Sequence, residues 1–261
     1  MVFNERVIYW VEWFAGQGRW TFLKWMKRSG RYKAMIQSEL RKAGLPQDLF
    51  YLAMIESGFV PSAESSAAAV GVWQIIPETA GTYHLSINAH VDERRDPYRS
   101  TIAAIAYLKK LHREFGYWYM AMAAYNAGES RVHGAMKKQG SANYWSLCDA
   151  GALPNETIDY VPRVLAAAII DKNPALFGFS SVKRELPVER ALTSAAGGHH
   201  TNFLAEAAGM EPEAFLAINP HLVGDRLPDE PAGTVVYVPP TALNAFNRIL
   251  HKNAGNKASS G

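Results

Sequence analysis

The sequence predicts a mainly α protein that carries a small α+β appendage near its C-terminus. Apolar residues recur at helical spacing from the first residues to Asn173, and glycines and prolines divide this pattern into separate helices. After Asn173 comes a short stretch with Pro174, Gly178 and two serines, followed by segments of strand character around two short amphipathic helices. A chain of 261 residues, 48% of them hydrophobic and 20% charged, has room for one large and one small folded unit.

These changes in pattern divide the chain into five parts. The expected order is an aromatic helical arm (1–30), a large helical domain (31–173), a linker (174–182), a small α+β domain (183–245) and a tail (246–261). We expect the tail to be disordered from Asn253 onward, because it lacks an apolar pattern there. In the arm, Val7, Trp10 and Phe14 share one helical face, which favours packing against the large domain over stacking on a sugar.

The individual elements follow from periodicity and from their end signals. We expect helices over residues 20–27, 32–42, 45–56, 77–83, 97–115, 118–125, 129–138 and 154–171. Asp96 and Pro97 suit the N-cap and the first turn of the helix over 97–115. In the small domain, strands over 183–193 and 234–240 are expected to flank helices over 202–209 and 212–219.

Glu56 is the first candidate for a functional side chain, because it lies on the apolar face of a predicted helix. Together with Leu49 and Leu52 it follows the spacing of residues that face a protein interior. A carboxyl group in such surroundings must be paired or neutral, and a neutral carboxyl can donate a proton, as the general acid of glycoside cleavage does. On position alone, a solvated or salt-bridged glutamate at a helix end remains the alternative.

Several segments that follow Glu56 strengthen its functional interpretation. In order and spacing they resemble the lytic transglycosylases, the bacterial peptidoglycan-cleaving relatives of goose-type lysozyme. The resemblance extends from about Asn4 to about Pro240, and Trp73 indicates the membrane-bound lytic murein transglycosylase D group, since many relatives have Met there. The matching segments are Glu56-Ser57, Ser65, Gly71-Val72-Trp73-Gln74, Ala124-Tyr125-Asn126-Ala127-Gly128 and Glu156-Thr157-Ile158-Asp159-Tyr160-Val161.

The resemblance implies a lysozyme-like catalytic domain over 31–173 in which Glu56 is both acid and base. It implies cleavage of the β-1,4 bond between N-acetylmuramic acid (MurNAc) and N-acetylglucosamine (GlcNAc), with a 1,6-anhydroMurNAc end as product. Residues 183–245 resemble a LysM glycan-binding module in part, but His199-His200-Thr201 replaces the glycine–aspartate turn that usually follows the first strand. The residues that the resemblance assigns to substrate binding are Ser65, Trp73, Gln74, Tyr125, Asn126 and Tyr160.

Two other functions fit the same sequence. In a hydrolytic lysozyme a second carboxylate would activate water, and Glu64, Asp92 or Asp96 would supply it. In a non-catalytic wall-binding protein the fold would remain without the chemistry, which the intact Glu56 argues against. We expect Glu56 to be the only acid that the matching segments bring to the site. This favours attack by the substrate's own 6-hydroxyl over attack by water.

Composition and charge narrow the classes of partner and cofactor. A formal charge of +3 with scattered Lys/Arg pairs favours peptidoglycan strands, with their carboxylates, over nucleic acid. We expect no metal and no cofactor, since the histidines and the charged loop at 92–96 lack ligand spacing and no phosphate loop is present. The only cysteine, Cys148, cannot form an internal disulfide.

The expected location is the periplasm or the cell envelope, on the strength of the resemblance. The first residues lack the continuous apolar core of an export signal, and no apolar run is long enough for a transmembrane helix. We therefore expect that an export signal has been trimmed. Any membrane attachment would then belong to an N-terminal segment missing from this chain.

Overall fold

The computed structural model describes residues 3–230 and 233–258, with side chains as far as Lys252. Helices dominate these residues, which confirms the predicted mainly α class. Short 3-10 helices lie at Gln47–Leu49, Glu93–Arg95, Pro174–Phe177 and Pro240–Ala242. The longer elements are α1 (Glu5–Ala15), α2 (Arg19–Lys42), α3 (Phe50–Ser57), α4 (Pro77–Thr82), α5 (Pro97–Phe115), α6 (Trp118–Ala127), α7 (Glu129–Gln139), α8 (Tyr144–Asp149), α9 (Asn155–Lys172), β1 (Ala191–Ala195), α10 (Thr201–Ala207), α11 (Pro212–Ile218), β2 (Thr234–Val238) and α12 (Leu243–Ala258).

Helix α9 lies at the centre of the large domain. It packs against α1, α3 and α6, and its buried side chains include Tyr160 and Val161. Pro162 is also buried inside this helix, where its ring removes one backbone hydrogen bond. Helix α1 lies along α9 and buries Trp10 and Phe14 there. The aromatic arm therefore packs against the large domain, as its helical spacing predicts.

A single long helix, α2, replaces the two helices predicted over 20–27 and 32–42. The predicted boundary between residues 30 and 31 is therefore wrong, because the helix runs through Gly30 without a break. The glycine allows a close contact instead, since a Cβ at Gly30 would come within 2.2 Å of the carbonyl oxygen of Glu185. The amide of Glu185 also donates to the carbonyl of Lys27 at 2.9 Å. The chain that enters the small domain is thus bonded to α2.

The helices on either side of the site follow the prediction closely. Helix α5 begins at the N-cap Asp96, whose carboxylate accepts from the amides of Tyr98 and Arg99, and it ends at a left-handed Gly116. The predicted helix over 45–56 is divided into a 3-10 turn and α3. The sequence pattern does not predict α8, because the segment is too short to establish a helical period.

Residues 174–182, predicted as a linker, are packed against the large domain. Phe179 is buried and contacts the ring of Phe22 at a centroid distance of 5.4 Å. The guanidinium of Arg19 lies over the Phe179 ring and donates to the carbonyls of Phe177 and Gly178. The segment is therefore a packed connection that contributes a side chain to the core of the large domain.

The small domain contains a two-stranded antiparallel sheet whose strands are separated in the chain by two helices. Ala191 of β1 lies opposite Val238 of β2, and Ala195 lies opposite Thr234. The order strand, helix, helix, strand agrees with the prediction. The predicted position of the first strand, 183–193, is wrong, because β1 lies at Ala191–Ala195 and residues 183–190 are not a strand. The resemblance to a LysM module rests on this order alone and remains a prediction.

Helix α12 corrects the predicted end of the small domain. It begins at Leu243 and continues past the expected boundary at residue 245, and Phe246 and Leu250 are buried in the core of this domain. The prediction of a tail from residue 246 is therefore wrong, because these side chains pack with α10 and β1. The disorder predicted from Asn253 falls partly on α12, and residues 259–261 lie outside the described residues.

The small domain contacts the large one through the loop that precedes α5. The amide of Asp92 donates to the carbonyl of His221 at 2.8 Å. The Tyr237 hydroxyl donates to the buried carboxylate of Asp96 at 2.7 Å, and Arg190 lies 3.9 Å from that carboxylate. The two domains therefore share a buried polar contact, and a fully paired network of this kind holds its groups in one arrangement.

Arg184 allows a test of how the segment before the small domain stabilises the large one. Its guanidinium donates at 2.6 Å to the buried carboxylate of Asp171, which also accepts from Lys33 and Tyr51. Arg184→Met should lower the free energy of unfolding by about 2 kcal/mol, because a buried carboxylate loses a charged partner. Urea unfolding at neutral pH measures this change.

Arg226→Met is the matched control for that experiment. It removes a pair with Asp225 in which both side chains are largely exposed, and exposed pairs contribute less than about 1 kcal/mol. If Arg184→Met unfolds at the same urea concentration as Arg226→Met, the contact with Asp171 does not stabilise the fold.

Candidate active site

Glu56 lies in the last turn of α3, which Gly58 ends. Gly58 has a left-handed backbone (φ 56°), and a Cβ there would meet the Trp25 ring at 2.1 Å. The helix therefore ends where only a glycine fits. The last turn presents Glu56 to a cleft formed by α3, α6, α9 and the loop after Gly58.

Burial raises the pKa of the Glu56 carboxyl group to about 7. The hydroxyl of Tyr160 donates to its Oε1 at 2.5 Å, which lowers this pKa, and the negative charge of Glu156 raises it. Removal from water is the largest of the three effects. A carboxyl group with this pKa can give a proton and take one back near neutral pH without a large free-energy cost.

Two tyrosines flank the Glu56 carboxyl group. Tyr160 comes from α9, and Tyr125 comes from the end of α6, where its hydroxyl donates to the backbone carbonyl of Trp73 at 2.7 Å. Burial, and then the charge of Glu56, raises the pKa of both phenols well above the ordinary value. Both therefore stay protonated, and Tyr160 acts on Glu56 as a hydrogen-bond donor.

The cleft around Glu56 has a volume of about 520 Å³. Its lining combines apolar side chains such as Ile75 and Ile76 with amides and hydroxyls, as in sites that bind polar ligands in a fixed orientation. Although the sequence separates them widely, the structure brings together five residues predicted to bind the substrate: Ser65, Gln74, Tyr125, Asn126 and Tyr160.

Ser65 and Gln74 also hold the loop that carries them. The Oγ of Ser65 accepts from the amides of Ala67 and Ala69 at 3.2 and 3.1 Å. The Nε2 of Gln74 donates to the carbonyl of Ala63 at 3.2 Å and to a second carbonyl within its own turn. Gln74 has a left-handed backbone (φ 48°), which is uncommon for a residue with a side chain and is stabilised by these bonds.

Trp73 does not line the cleft, and its predicted role in substrate binding is wrong. Its side chain is fully buried, and the indole Nε1 donates to the hydroxyl of Thr101 on α5 at 2.9 Å. An indole without exposed surface cannot stack on a sugar. Trp73 instead anchors the loop to α5 and offers its carbonyl to Tyr125.

A second acid, Glu156, lies in the cleft and is missed by the sequence analysis. Its carboxylate accepts from the Nδ2 of Asn126 at 3.3 Å, and the Oδ1 of Asn126 accepts from the hydroxyl of Thr157 at 2.8 Å. The expectation that Glu56 is the only acid that the matching segments bring to the site is therefore wrong. The position of Glu156 one helical turn before Tyr160 was a usable signal, because residues at this spacing share a face.

The three acids considered for a hydrolase lie outside the cleft. Asp92 is buried and forms a bidentate pair with Arg94 at 2.9 and 2.8 Å. Asp96 is fully buried at the domain contact, and Glu64 is exposed and pairs with Arg95 at 3.4 Å. Since none of the three is among the described residues that line the cleft, none can serve as its second carboxylate.

Arg94 stabilises the turn between Ala68 and Ile75, which forms one wall of the cleft. Its Nη1 donates to the carbonyls of Ala68 and Ile75 at 2.8 and 3.3 Å, on either side of the turn that forms the wall. Gly71, in the same turn, lies so close that a Cβ would approach the carbonyl oxygen of Arg94 to 2.0 Å. Because Asp92 pairs with this guanidinium and also bonds the small domain, the wall is connected to that domain.

The described residues contain no cluster of three or more His, Cys, Asp or Glu side chains that could hold a metal ion. Over the same part of the chain, no helix combines the length and hydropathy needed to cross a membrane. The cleft contains a carboxyl group with a raised pKa, phenol hydroxyls, amides and one guanidinium, that of Arg163. These groups can transfer a proton at an oxygen atom and hydrogen-bond a sugar.

Part of this chain is similar in sequence to known proteins. Residues 33–148 match the family described as transglycosylase SLT domain. Membrane-bound lytic murein transglycosylase D of Escherichia coli (strain K12) is 40% identical over 156 residues, which are 58% of this chain and 34% of that protein. A putative tributyltin chloride resistance protein of Alteromonas sp. (strain M-1) is 41% identical over 115 residues, which are 43% of this chain and 56% of that protein. The chain thus spans about a third and about half of the lengths of these relatives.

Solved structures are similar in fold to this chain over about two thirds of its length. The 70 kDa soluble lytic transglycosylase SLT70 from Escherichia coli gives a TM-score of 0.50 at 22% identity, over 64% of this chain and 28% of that one. A 70 kDa soluble lytic transglycosylase in complex with bulgecin A gives 0.50 at 23% identity, over 66% and 28%. At these identities the likeness concerns the fold alone. The predicted resemblance to lytic transglycosylases is confirmed by the SLT match and by the 40% identity to the group that Trp73 indicates.

The raised pKa of Glu56 predicts a pH-dependent effect of replacing it. The folded protein keeps this proton up to about pH 7, whereas an ordinary carboxyl group in the unfolded chain releases it near pH 4.5. The ionising carboxyl group therefore destabilises the folded state increasingly between these values, and by a constant amount above them. Glu56→Gln should match the parent at about pH 4 and be about 1–3 kcal/mol more stable at about pH 8. Denaturant unfolding at both pH values measures the difference.

Glu64→Gln is the control, because Glu64 is exposed and lies outside the cleft. Its effect should stay within about 0.5 kcal/mol at either pH. If Glu56→Gln is no more stable than the parent at about pH 8, the carboxyl group of Glu56 is not held away from water.

Proposed function

Because residues 33–148 of this chain match the transglycosylase SLT domain family, we propose that the protein is a peptidoglycan lytic transglycosylase. It cleaves the β-1,4 bond between MurNAc and GlcNAc and leaves a 1,6-anhydroMurNAc end. The proposal rests on the Glu56 carboxyl group, which lines the cleft with a pKa of about 7 and is bonded to Tyr160. One group with this pKa suits a reaction in which it first gives a proton and then takes one.

In the first step, Glu56 donates its proton to the glycosidic oxygen as the bond to C1 of MurNAc breaks. GlcNAc leaves with a new 4-hydroxyl, and the N-acetyl group of MurNAc stabilises the positive charge at C1. Burial supplies the protonated acid near neutral pH. The hydroxyl of Tyr160 then donates to the newly formed carboxylate and stabilises its charge.

In the second step, the carboxylate of Glu56 takes the proton of the muramoyl 6-hydroxyl. The freed oxygen attacks C1 and closes the anhydro ring, which returns Glu56 to its protonated form. Nucleophile and electrophile belong to the same sugar, so the reaction benefits from a high effective concentration. The side chains proposed to bind the acetamido and hydroxyl groups during these steps are Ser65, Gln74, Tyr125 and Asn126.

Hydrolysis is the second candidate, and the position of Glu156 in the cleft favours it. An inverting hydrolase needs a second carboxylate across the sugar ring, roughly 6.5–9.5 Å from the acid, with room for water between them. Glu156 is exposed and engaged by Asn126. A carboxylate that already accepts a hydrogen bond from a neighbouring amide is less available to take a proton from water. We therefore place hydrolysis second.

The proposed location is the periplasm or the cell envelope, where peptidoglycan lies, and the proposed partners are its glycan strands. The relative from Escherichia coli is described as membrane-bound and as acting on murein. The order of elements in residues 183–245 agrees with a module that binds the same strands, so we propose glycan binding for the small domain as well.

The products of digestion distinguish the two reactions. Isolated peptidoglycan treated with the protein should release muropeptides that end in 1,6-anhydroMurNAc, each lighter by one water molecule than the hydrolytic product. Glu56→Gln should lower their rate of release by at least about 100-fold, because the acid and the base are lost together. Mass spectrometry of the released muropeptides measures both results.

Glu156→Gln separates the transglycosylase from the hydrolase, with Glu64→Gln as the control outside the cleft. In a transglycosylase, Glu156→Gln should still form anhydro ends, at a rate within about tenfold of the parent. Products with reducing ends, abolished by Glu156→Gln and not by Glu64→Gln, would replace the proposal with a hydrolytic lysozyme.

The pKa of Glu56 also predicts the pH range of activity. Since the free enzyme must hold the proton, kcat/KM should fall about tenfold per pH unit above about pH 7. Tyr160→Phe removes a hydrogen bond that favours the ionised carboxylate, so the pKa should rise and the fall should move to higher pH, with a lower kcat. Rates on purified peptidoglycan from about pH 5 to pH 9 measure the shift. An unchanged midpoint in Tyr160→Phe would show that Tyr160 does not act on Glu56.

A further inference from the structure

Arg163 is a cation in the cleft that has no acidic partner among the described residues. It lies on α9 one turn after Tyr160 and lines the same cleft as Glu56. Its Nε–H group is buried and donates to no acceptor among the described residues. Leaving a partly buried charged group without a partner is costly, so such a group calls for a ligand.

Asp159 is the acid on the same helix that is spaced to form an ion pair with Arg163, and its carboxylate is hydrogen-bonded to another residue. Asp159 precedes Arg163 by four residues, a spacing that commonly gives an ion pair on a helix surface. The carboxylate of Asp159 instead accepts a hydrogen bond from the indole Nε1 of Trp10 at 3.3 Å. Helix α1 thus supplies a donor to the acid of α9, and Arg163 forms no ion pair with this acid.

Trp10 also positions the guanidinium of Arg163. The Cζ atom of Arg163 lies 4.0 Å from the centroid of the Trp10 ring, within the range of a cation–π contact. Trp10 is held in turn by the rings of Trp13 and Phe14, with centroids 5.5 and 5.9 Å away. A guanidinium placed over a ring keeps its outer N–H groups available to bind a planar carboxylate at two points.

The charge of the cleft indicates what this cation does. Among the described residues that line it, Glu56 and Glu156 are acidic and Arg163 is the one cation. The negative charge of Glu156, and that of Glu56 whenever it is ionised, would repel an acidic strand, and a cation in the same cleft offsets this repulsion.

We propose that Arg163, held over Trp10, binds a carboxylate of the substrate and gives the cleft its preference for acidic strands over neutral polymers of GlcNAc. The choice of strand rests on the proposed function. Peptidoglycan offers this carboxylate from two sources: the lactyl group of MurNAc, where the stem peptide has been removed, and the stem peptide itself, where it is present. Both are planar carboxylates that the same guanidinium can bind.

Binding in a Glu56→Gln protein tests the proposal apart from catalysis. Three ligands distinguish the sources: a peptide-free MurNAc–GlcNAc tetrasaccharide, the same tetrasaccharide with stem peptides, and a chitin tetrasaccharide that has N-acetyl groups and no carboxylate. Adding Arg163→Gln should weaken binding of at least one acidic ligand by roughly 10- to 100-fold and leave the chitin tetrasaccharide within about twofold. The acidic ligand that loses affinity identifies the source.

Two matched variants distinguish a direct contact between Arg163 and the carboxylate from an effect of net charge or of misfolding. Arg41→Gln removes one positive charge from an exposed position on α2 and should leave all three affinities within about twofold. Arg163→Lys keeps the charge and loses the planar fork, so its loss of affinity for the acidic ligand should lie between those of the parent and Arg163→Gln. Unchanged binding of the chitin tetrasaccharide reports an intact cleft in each variant.

Three outcomes would overturn the proposal: no binding of either acidic ligand, equal affinities for them in Arg163→Gln and its parent, or equal weakening of all three ligands. The last would mean that Arg163 has a structural role only. The test is independent of the reaction. If the parent protein, which carries Glu56, releases no anhydro products while Arg163→Gln still weakens binding of the acidic ligand, that result would contradict the proposed function and would support the carboxylate site.

Discussion

The removal of the Glu56 carboxyl group from water is the condition on which the rest of the site depends. It brings the pKa of this group to about 7. The surrounding elements either keep the carboxyl group buried or lower its pKa through a hydrogen bond. Helix α3 ends at Gly58 so that its last turn meets the cleft, α6 and α9 place Tyr125 and Tyr160 beside the carboxyl group, and the loop closes the third side. The hydrogen bond from Tyr160 keeps the pKa from rising further, so the group remains able to ionise. The balance between burial and this one donor therefore sets the chemistry that the cleft can perform.

The wall opposite the helices is irregular backbone, and such backbone keeps a fixed shape only when its polar groups are bonded. Arg94 meets this need by bonding the carbonyls of Ala68 and Ile75, and Asp92 holds Arg94 in place. The small domain contacts the loop before α5, where the amide of Asp92 donates to the carbonyl of His221. The two domains are thus connected through the support of the cleft wall. The small domain contributes to the site although none of its described residues lines the cleft.

The sequence predicted what periodicity and end signals encode, and it failed where packing between distant segments decides. Glu56 could be found because it continues an apolar stripe, and α5 because Asp96 and Pro97 mark its start. Trp73 was misassigned because neighbouring residues of a turn point in different directions, and no period shows which one faces the cleft. The close approach of Glu185 to Gly30 joins α2 to a distant segment, and the contact of Arg163 with Trp10 joins α9 to α1. Neither contact leaves a local pattern in the chain. Glu156 is different, because it lies four residues before Tyr160 on one helix. That spacing places both side chains on the same face and was sufficient to assign Glu156 to the cleft.

Tyr237 and His221 reach the loop before α5 from the far end of the chain. During synthesis, which proceeds from the N-terminus, the residues of the cleft leave the ribosome well before these two do. Until then the backbone around Gln74 lacks the support that the small domain gives through Asp92 and Asp96. Completion of the cleft is thereby coupled to completion of the chain. A nascent or prematurely terminated polypeptide carries Glu56 without the contacts that Tyr237 and His221 make with the loop before α5.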